Sequence, residues 1–318
     1  MTITIRFFDN YERGTSMIYV DMRGNLGNQL FDYALARAIS EKTGDRICLN
    51  TYYLHKYKPQ YSFNLEYFNL PDNVKIVDDM KFPFGANSFS LFSKIARKIA
   101  PNLYFFIFSK FGIYVWLRPE YKKIVLANTK NHYVVGYWQS PKYLRSIEDK
   151  LRKEIVPNKK TLEDNKDVIE RNKDLFDIIQ KTESVCISIR RGDYISDEKN
   201  RKNLYICDEK YFREAMEKIK ADVPNAVFIM FSDDIEWVKN NIDVGSTQTY
   251  YESGNDPVWE KLRLMSSCKH FILSNSTFSW WAEYLSENGN KIVYAPDRWF
   301  PTKKVSDLYE SHWKKILV

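Results

Sequence analysis

Four short apolar runs in the second half of the chain alternate with segments of helical spacing, and this rhythm limits the possible folds. The runs are Val185–Ile189, Ala226–Phe231, Phe271–Ser274 and Lys291–Ala295. Between them, Asp208–Ala221, a stretch ending at Asn240, Trp259–Ser267 and Phe278–Glu287 read as helices, with Gly289 ending the last. Strands separated by helices pair in parallel, because a parallel connection must cross back over the sheet.

The first half starts the same way. A strand, Met17–Met22, runs into the turn Arg23-Gly-Asn-Leu-Gly-Asn-Gln29. Apolar residues then recur at Leu30, Ala34 and Ala38, and at Phe31, Leu35 and Ile39. That is helical spacing over three turns, and Gly44 is placed to end the helix before a strand at Arg46–Leu49. His132–Ser140 reads as a further strand and its exit loop, and Pro141–Ile155 as helical. Residues 50–130 are irregular and aromatic-rich; Tyr52, Tyr53 and Tyr57 could stack on sugar faces or pack in the core. Leu103–Phe108 and Phe111–Leu117 read as one apolar helical stretch across Ser109-Lys110. With its basic flanks it is either a core helix or an interfacial helix on a membrane. The expected organisation is an extension over residues 1–16, an acceptor-side domain at 17–156, a linker region at 157–183 and a nucleotide-sugar domain at 184–318. The C-terminal tail is expected to pack back on the first domain.

Composition narrows the class. With 44% apolar and 16% aromatic residues the chain is globular. A net charge of +7 without a long basic run does not favour nucleic acid. Cys48, Cys186, Cys207 and Cys268 are far apart, which suits buried thiols in a reducing cytoplasm. His55, His132, His270 and His312 do not cluster with acids or cysteines, so no metal site is expected. No signal peptide and no run of 18 apolar residues stand out.

Polar groups gather where the strands end. Val185–Ile189 exits at Arg190-Arg191-Gly192-Asp193, Ala226–Phe231 at Ser232-Asp233-Asp234, and Phe271–Ser274 at Asn275-Ser276-Thr277. Ligands of open α/β sheets bind beyond the carboxyl ends of strands. Arginine presents a rigid fork to phosphate oxygens. Hydroxyls and a helix start donate to the same oxygens, and Asp233 or Asp234 can accept from the N–H edge of a guanine. A nucleotide sugar fits this set. The Gly24–Gln29 turn feeds a second helix start, so Gly27, Asn28 and Gln29 are candidates from the other domain.

Six blocks carry a resemblance: Gly24–Ala34, Gly136–Ser140, Ser188–Tyr194, Phe231–Trp237, Leu264–His270 and Ser274–Trp281. In this order they resemble bacterial α-1,2-fucosyltransferases of glycosyltransferase family 11, from Met17 to about Phe300. The resemblance implies a GT-B-type α/β fold, two Rossmann-like domains facing a cleft. It implies GDP-β-L-fucose as donor, the 2-hydroxyl of a galactose as acceptor, inversion to an α linkage, and no cofactor or metal. It places the diphosphate on Arg190 and brings Asn28 to the donor. Gly27, Gln29, Ser188, Arg191, Asp233, Asp234, Asn275, Ser276 and Thr277 complete the expected donor set, Arg191 and the aspartates having pairing or capping as the alternative. Asp193 and Asp32 are candidate bases, with a salt bridge or turn cap beside the arginines as the alternative for Asp193, unless the departing phosphate takes the proton. The expected partner is a galactose-terminated oligosaccharide or polysaccharide precursor, met in the cytoplasm or at the inner face of the membrane. Another GDP-sugar, another linkage or a non-catalytic glycan-binding protein are the alternatives. The chain departs from the family pattern at Asn25 (usually Gly), Asp32 (usually Gln), Ser188 (usually His) and Lys261 (often Asp).

Overall fold

The computed structural model describes residues 16–87, 91–302 and 307–318. The expected N-terminal extension therefore lies, except for Ser16, outside the described residues. The first half comprises β1 (Met17–Asp21), α1 (Leu26–Thr43), β2 (Arg46–Asn50), α2 (Tyr52–Tyr57), β3 (Val74–Val77), α3 (Leu91–Ile99), α4 (Pro101–Ser109), β4 (Ile113–Trp116), β5 (Asn131–Gly136) and α5 (Glu148–Glu154). Residues 157–183 form three short helices, α6 (Lys159–Asp164), α7 (Lys166–Arg171) and α8 (Lys173–Lys181). Asn158 caps the first of them by accepting from the Thr161 N–H at 2.8 Å, and Val168 and Ile179 are buried in the core.

The second half follows with β6 (Glu183–Ile189), α9 (Gly192–Ser196), α10 (Glu198–Leu204), α11 (Glu209–Asp222), β7 (Ala226–Ser232), α12 (Ile235–Asn241), β8 (Thr249–Tyr251), α13 (Val258–Ser266), β9 (His270–Ile272), α14 (Thr277–Leu285), β10 (Val293–Pro296) and β11 (Lys314–Ile316). The strands make two sheets, five-stranded in the order β3-β2-β1-β5-β4 and six-stranded in the order β11-β10-β9-β6-β7-β8. Every pairing between these strands is parallel. Helices cover the sheet faces, and the central strands β1, β6 and β7 are buried along nearly their whole length and mostly apolar, as burial on both faces favours.

The stretch expected as one apolar helix is a helix followed by a strand. Helix α4 stops at Ser109, Gly112 turns the chain with φ +73°, and Ile113–Trp116 pairs with β5. A Cβ at Gly112 would lie 2.6 Å from the Asn131 carbonyl oxygen. A short apolar run gives a buried strand and a buried helix the same composition, and only the glycine separates them here.

The two halves share a core. The Phe31 ring of α1 lies 4.8 Å from Trp280 and 5.1 Å from Trp281 of α14. Trp281 Nε1 donates to the Gly27 carbonyl at 3.0 Å. Near the C-terminus, Asp307 accepts from the Tyr121 N–H at 3.0 Å and pairs with Lys142.

Candidate active site

Sheet order sets where a crevice opens. In the first sheet β1 lies between β2 and β5, so the chain leaves it to one side first and the other side later. In the second sheet β6 lies in the same way between β9 and β7. Such reversals leave a gap at the carboxyl end of the strands, where ligands bind. The gap between β1 and β5 holds Gly24–Asn28, Tyr137 and Gln139, and that between β6 and β9 holds Ser188–Arg190 and Asn275–Thr277. All of these line one cleft of about 770 Å³ between the halves.

Arg190 is the cationic centre of the second half's wall. Its guanidinium donates to Asp193 Oδ1 at 2.5 Å and also pairs with Asp233. Burial works against its charge, and Asp233 and Asp193 more than offset that, so its pKa is raised and it stays protonated. At the exit of the neighbouring strand β9 is the start of α14. Ser276 caps this helix, with the Phe278 N–H donating to its Oγ at 3.3 Å, and no acid occupies the first turn. The positive end of the helix therefore faces the cleft without a neutralising carboxylate of its own.

The two aspartates after β7 are committed locally. Asp233 Oδ1 accepts from the N–H groups of Arg191 at 2.8 Å and Gly192 at 3.0 Å. Residue 192 must be glycine for this approach, since a Cβ would lie 2.5 Å from Asp233 Oδ2. Asp234 caps α12 through the Trp237 N–H and accepts from Arg191 Nε at 3.2 Å. The Arg191 guanidinium lies 3.3 Å from the centre of the Trp237 ring. Arg191 and Asp234 are outside the cleft lining, while Asp233 is on it.

Asn275 lines the cleft, but its side chain holds loops together. Nδ2 donates to the carbonyls of Leu204 at 2.7 Å and Trp299 at 3.0 Å. Ser188 is buried at the floor, where its hydroxyl and that of Ser279 are 2.6 Å apart. Lys261 reaches the same cleft and is held by the buried carboxylate of Glu252 at 2.8 Å.

On the first half's wall, Asn28 Oδ1 accepts from Gln139 Nε2 at 2.8 Å and from Thr277 Oγ1 at 3.0 Å. Gly27 packs against the α14 start, where a Cβ would meet the Phe278 nitrogen at 2.5 Å. Gln29 is fully buried outside the lining. Its amide donates to the carbonyls of Gly24 and Ser62, each at 2.8 Å, and accepts from the Asn64 N–H at 3.0 Å. It thereby braces the turn against the loop that brings Tyr61 and Asn64 to the cleft.

Beneath the turn lies a buried charge cluster. Arg23 pairs with Asp21 at 2.8 Å and stacks 3.9 Å from the centre of the Tyr53 ring. Burial pushes the Asp21 carboxyl up to about 6 against the pull of Arg23. Burial also raises Asp32 well above the carboxylate range; it sits near the backbone N–H groups of Trp138 and Arg23 without a hydrogen bond of normal geometry. Asp32 is buried and is not among the residues that line the cleft. Tyr52, Tyr53 and Tyr57 do not line the cleft either. Tyr61, Tyr137 and Gln139 do, together with Leu117, Pro119, Trp299 and Phe300. Tyr137 and Gln139 were within sight, being part of the Gly136–Ser140 block, but Tyr61 carries no local signal.

Residues 17–317 match the family model Glycosyl transferase family 11. The chain belongs to glycosyltransferase family 11. It is a glycosyltransferase enzyme with a GT-B-type fold. An alpha-1,2-colitosyltransferase of Escherichia coli is 30% identical over 95% of this chain and 99% of its own length. The O-antigen biosynthesis glycosyltransferase WbnK of Escherichia coli is 28% identical over 93% of this chain and 99% of its own. The human galactoside alpha-(1,2)-fucosyltransferase 1 is 30% identical over 40% of this chain and 34% of its own. The fold is shared with NodZ alpha-1,6-fucosyltransferase co-crystallized with GDP, at TM-score 0.51, 12% identity and coverage of 85% of this chain and 92% of that one. It is shared too with an Arabidopsis thaliana FUT1 mutant in complex with GDP, at TM-score 0.50, 11% identity and coverage of 93% and 73%.

All four cysteines of this family 11 chain are buried and unpaired. Among the described residues no group of three or more His, Cys, Asp or Glu side chains is placed to hold a metal ion. No helix among them is long and apolar enough to cross a membrane.

Proposed function

We propose that this enzyme transfers L-fucose from GDP-β-L-fucose to the 2-hydroxyl of a terminal galactose, inverting to an α linkage without a metal. The observation that carries this reading is the placement of Arg190 in the cleft, at the exit of β6, together with the uncompensated start of α14 at the exit of the neighbouring strand β9. The GDP leaving group gathers negative charge as the bond to the sugar breaks. A guanidinium and a helix start already aimed at that position stabilise it without reorganising. In the free enzyme Asp193 and Asp233 occupy Arg190, and the diphosphate takes their place. Ser276, Thr277 and the backbone of Asn275 add donors from the same strand exit, and Gly27 and Asn28 approach from the other wall.

Three carboxylates line the cleft among the described residues: Asp193, Asp233 and Asp256. Asp233 is held by two backbone N–H groups, and buried Asp256 by Arg171 at 2.5 Å and Ser253 at 2.7 Å. Asp193 is the more accessible, with Asn200 donating to its Oδ2 at 3.2 Å. We assign it the acceptor proton; the departing diphosphate, bound to the same Arg190, is the alternative sink. Tyr61 and Tyr137 offer ring faces to the acceptor. The relative named for O-antigen biosynthesis supports a surface polysaccharide precursor as acceptor.

One observation favours a second donor: the full-length relative at 30% identity is named a colitosyltransferase. A screen of GDP-sugars against terminal galactosides, read as GDP release in EDTA, tests the reading. GDP-fucose is expected to turn over fastest. Turnover confined to GDP-colitose moves the donor assignment, and GDP bound with no turnover of any sugar overturns catalysis.

A further inference from the structure

Residues 81–119 contain six lysines and arginines and no aspartate or glutamate. The whole chain has a net charge of only +7, so this one segment holds nearly all of the excess. The same segment displays large apolar side chains to solvent. Helix α3 exposes Ile95 and Ile99, one turn apart. Helix α4, joined to it at Ala100, exposes Leu103, Phe106 and Ile107, which fall on one face at helical spacing. Phe111, 57% exposed, and Phe84, 70% exposed, extend the patch, with their ring centres 6.1 Å apart. Phe84 is held with φ +54°, a left-handed conformation that disfavours a bulky residue. The fold keeps it there with its ring in solvent rather than in the core.

Exposed lysines lie along the same segment. Lys81, Lys98 and Lys110 are exposed, and the Lys110 ammonium lies 4.9 Å from the centre of the Phe106 ring. An exposed apolar face in a segment that carries exposed cations and no acid matches the boundary of a bilayer containing anionic lipid. The segment then enters β4, whose exit places Leu117 and Pro119 on the cleft. A surface seated here would hold the acceptor-side rim of the cleft near the headgroups.

We propose that α3, α4 and the Phe84 and Phe111 rings form a docking surface for an anionic membrane. Leu103, Phe106 and Ile107 enter the interface, while Lys81, Lys98 and Lys110 contact lipid phosphates. This does not rest on the donor assignment, because vesicle binding is read without any transfer. The test is sedimentation of the full chain with phosphatidylcholine vesicles, with and without 30 mol% phosphatidylglycerol. The wild type should bind the anionic vesicles at least about tenfold more tightly than the neutral ones, since basic residues near an anionic surface are attracted to it. The double variant L103E/F106E should lose about tenfold or more of that binding, with unchanged melting temperature and unchanged turnover of a soluble acceptor. K98E/K110E should remove the preference for anionic vesicles. Equal binding to both vesicle types, or full binding by L103E/F106E, overturns the proposal. So does a wild type that ignores vesicles but forms a dimer which L103E/F106E abolishes, because the face would then be a protein interface.

Discussion

Asn28 of the first half and Thr277 of the second are joined by a 3.0 Å hydrogen bond from the threonine hydroxyl to Asn28 Oδ1, which also accepts from Gln139. One amide oxygen thus ties three strand exits that border the cleft. Asn28→Ala and Thr277→Val should each weaken GDP binding. Their effects should fall short of additive, because both remove the same bond, worth about 1 kcal/mol. Calorimetric titration of GDP into the two singles and the double checks this; strict additivity would show the bond to be irrelevant to the site.

Arg190→Ala should cut transfer by about 10²–10³-fold, the usual effect of removing a preorganised donor to developing negative charge. The fold should survive, because Asp233 keeps the Arg191 and Gly192 N–H groups as partners. Steady-state kinetics together with a melting curve separates lost chemistry from lost structure.

Gly27→Ala should cost about 1–3 kcal/mol of stability, the range for overpacking a tight contact. The obstacle is backbone, the Phe278 nitrogen and the Thr277 carbonyl carbon, which cannot swing aside like a side chain. Chemical denaturation should show the loss, and GDP affinity should fall with it because the same contact positions the start of α14.

The serine that replaces the family's histidine is integrated into its surroundings. Ser188 meets Ser279, and Ser279 meets Ser274 at 3.3 Å. In Ser188→His, with the neighbouring hydroxyls in place, the imidazole must displace Ser279, so a loss of both turnover and melting temperature is expected. Differential scanning fluorimetry and GDP-release rates decide it.

Asp32→Asn should raise the melting temperature at pH 8 by a few degrees and by less at pH 5. The sign follows from linkage. Burial raises the folded-state pKa of Asp32 above its unfolded value, so the group's contribution is most favourable at low pH and falls as pH rises through the folded value. The neutral amide removes that dependence. Melting curves from pH 5 to 8 for both proteins measure it directly.

Much of this was legible in the sequence, and the failures have physical causes. The strands at β6, β7 and β9 and their exits were readable because buried parallel strands are apolar runs that end abruptly. β3 and β8 are short, half-buried edge strands with little pattern to read. β4 lies within an aromatic run whose break depends on Gly112. In the site, Arg190, Asp193 and Ser276 could be placed from position in the motif alone. Sequence could not show whether Asp233, Asp234 and Arg191 meet a ligand or one another, since both arrangements use the same residues. The structure pairs Arg191 with Asp234 and Trp237 and hands Asp233 to the backbone. Tyr61 reaches the cleft only because Gln29 braces a loop 33 residues away in sequence.

The most direct test of the central claim is the structure of the product. The purified chain would be incubated with GDP-β-L-fucose and a terminal β-galactoside in the presence of EDTA, and the product analysed by NMR. The account predicts one new α-anomeric fucose on galactose O2, formed in step with GDP. Fucose at another position, a β anomer or an unchanged donor and acceptor would contradict it.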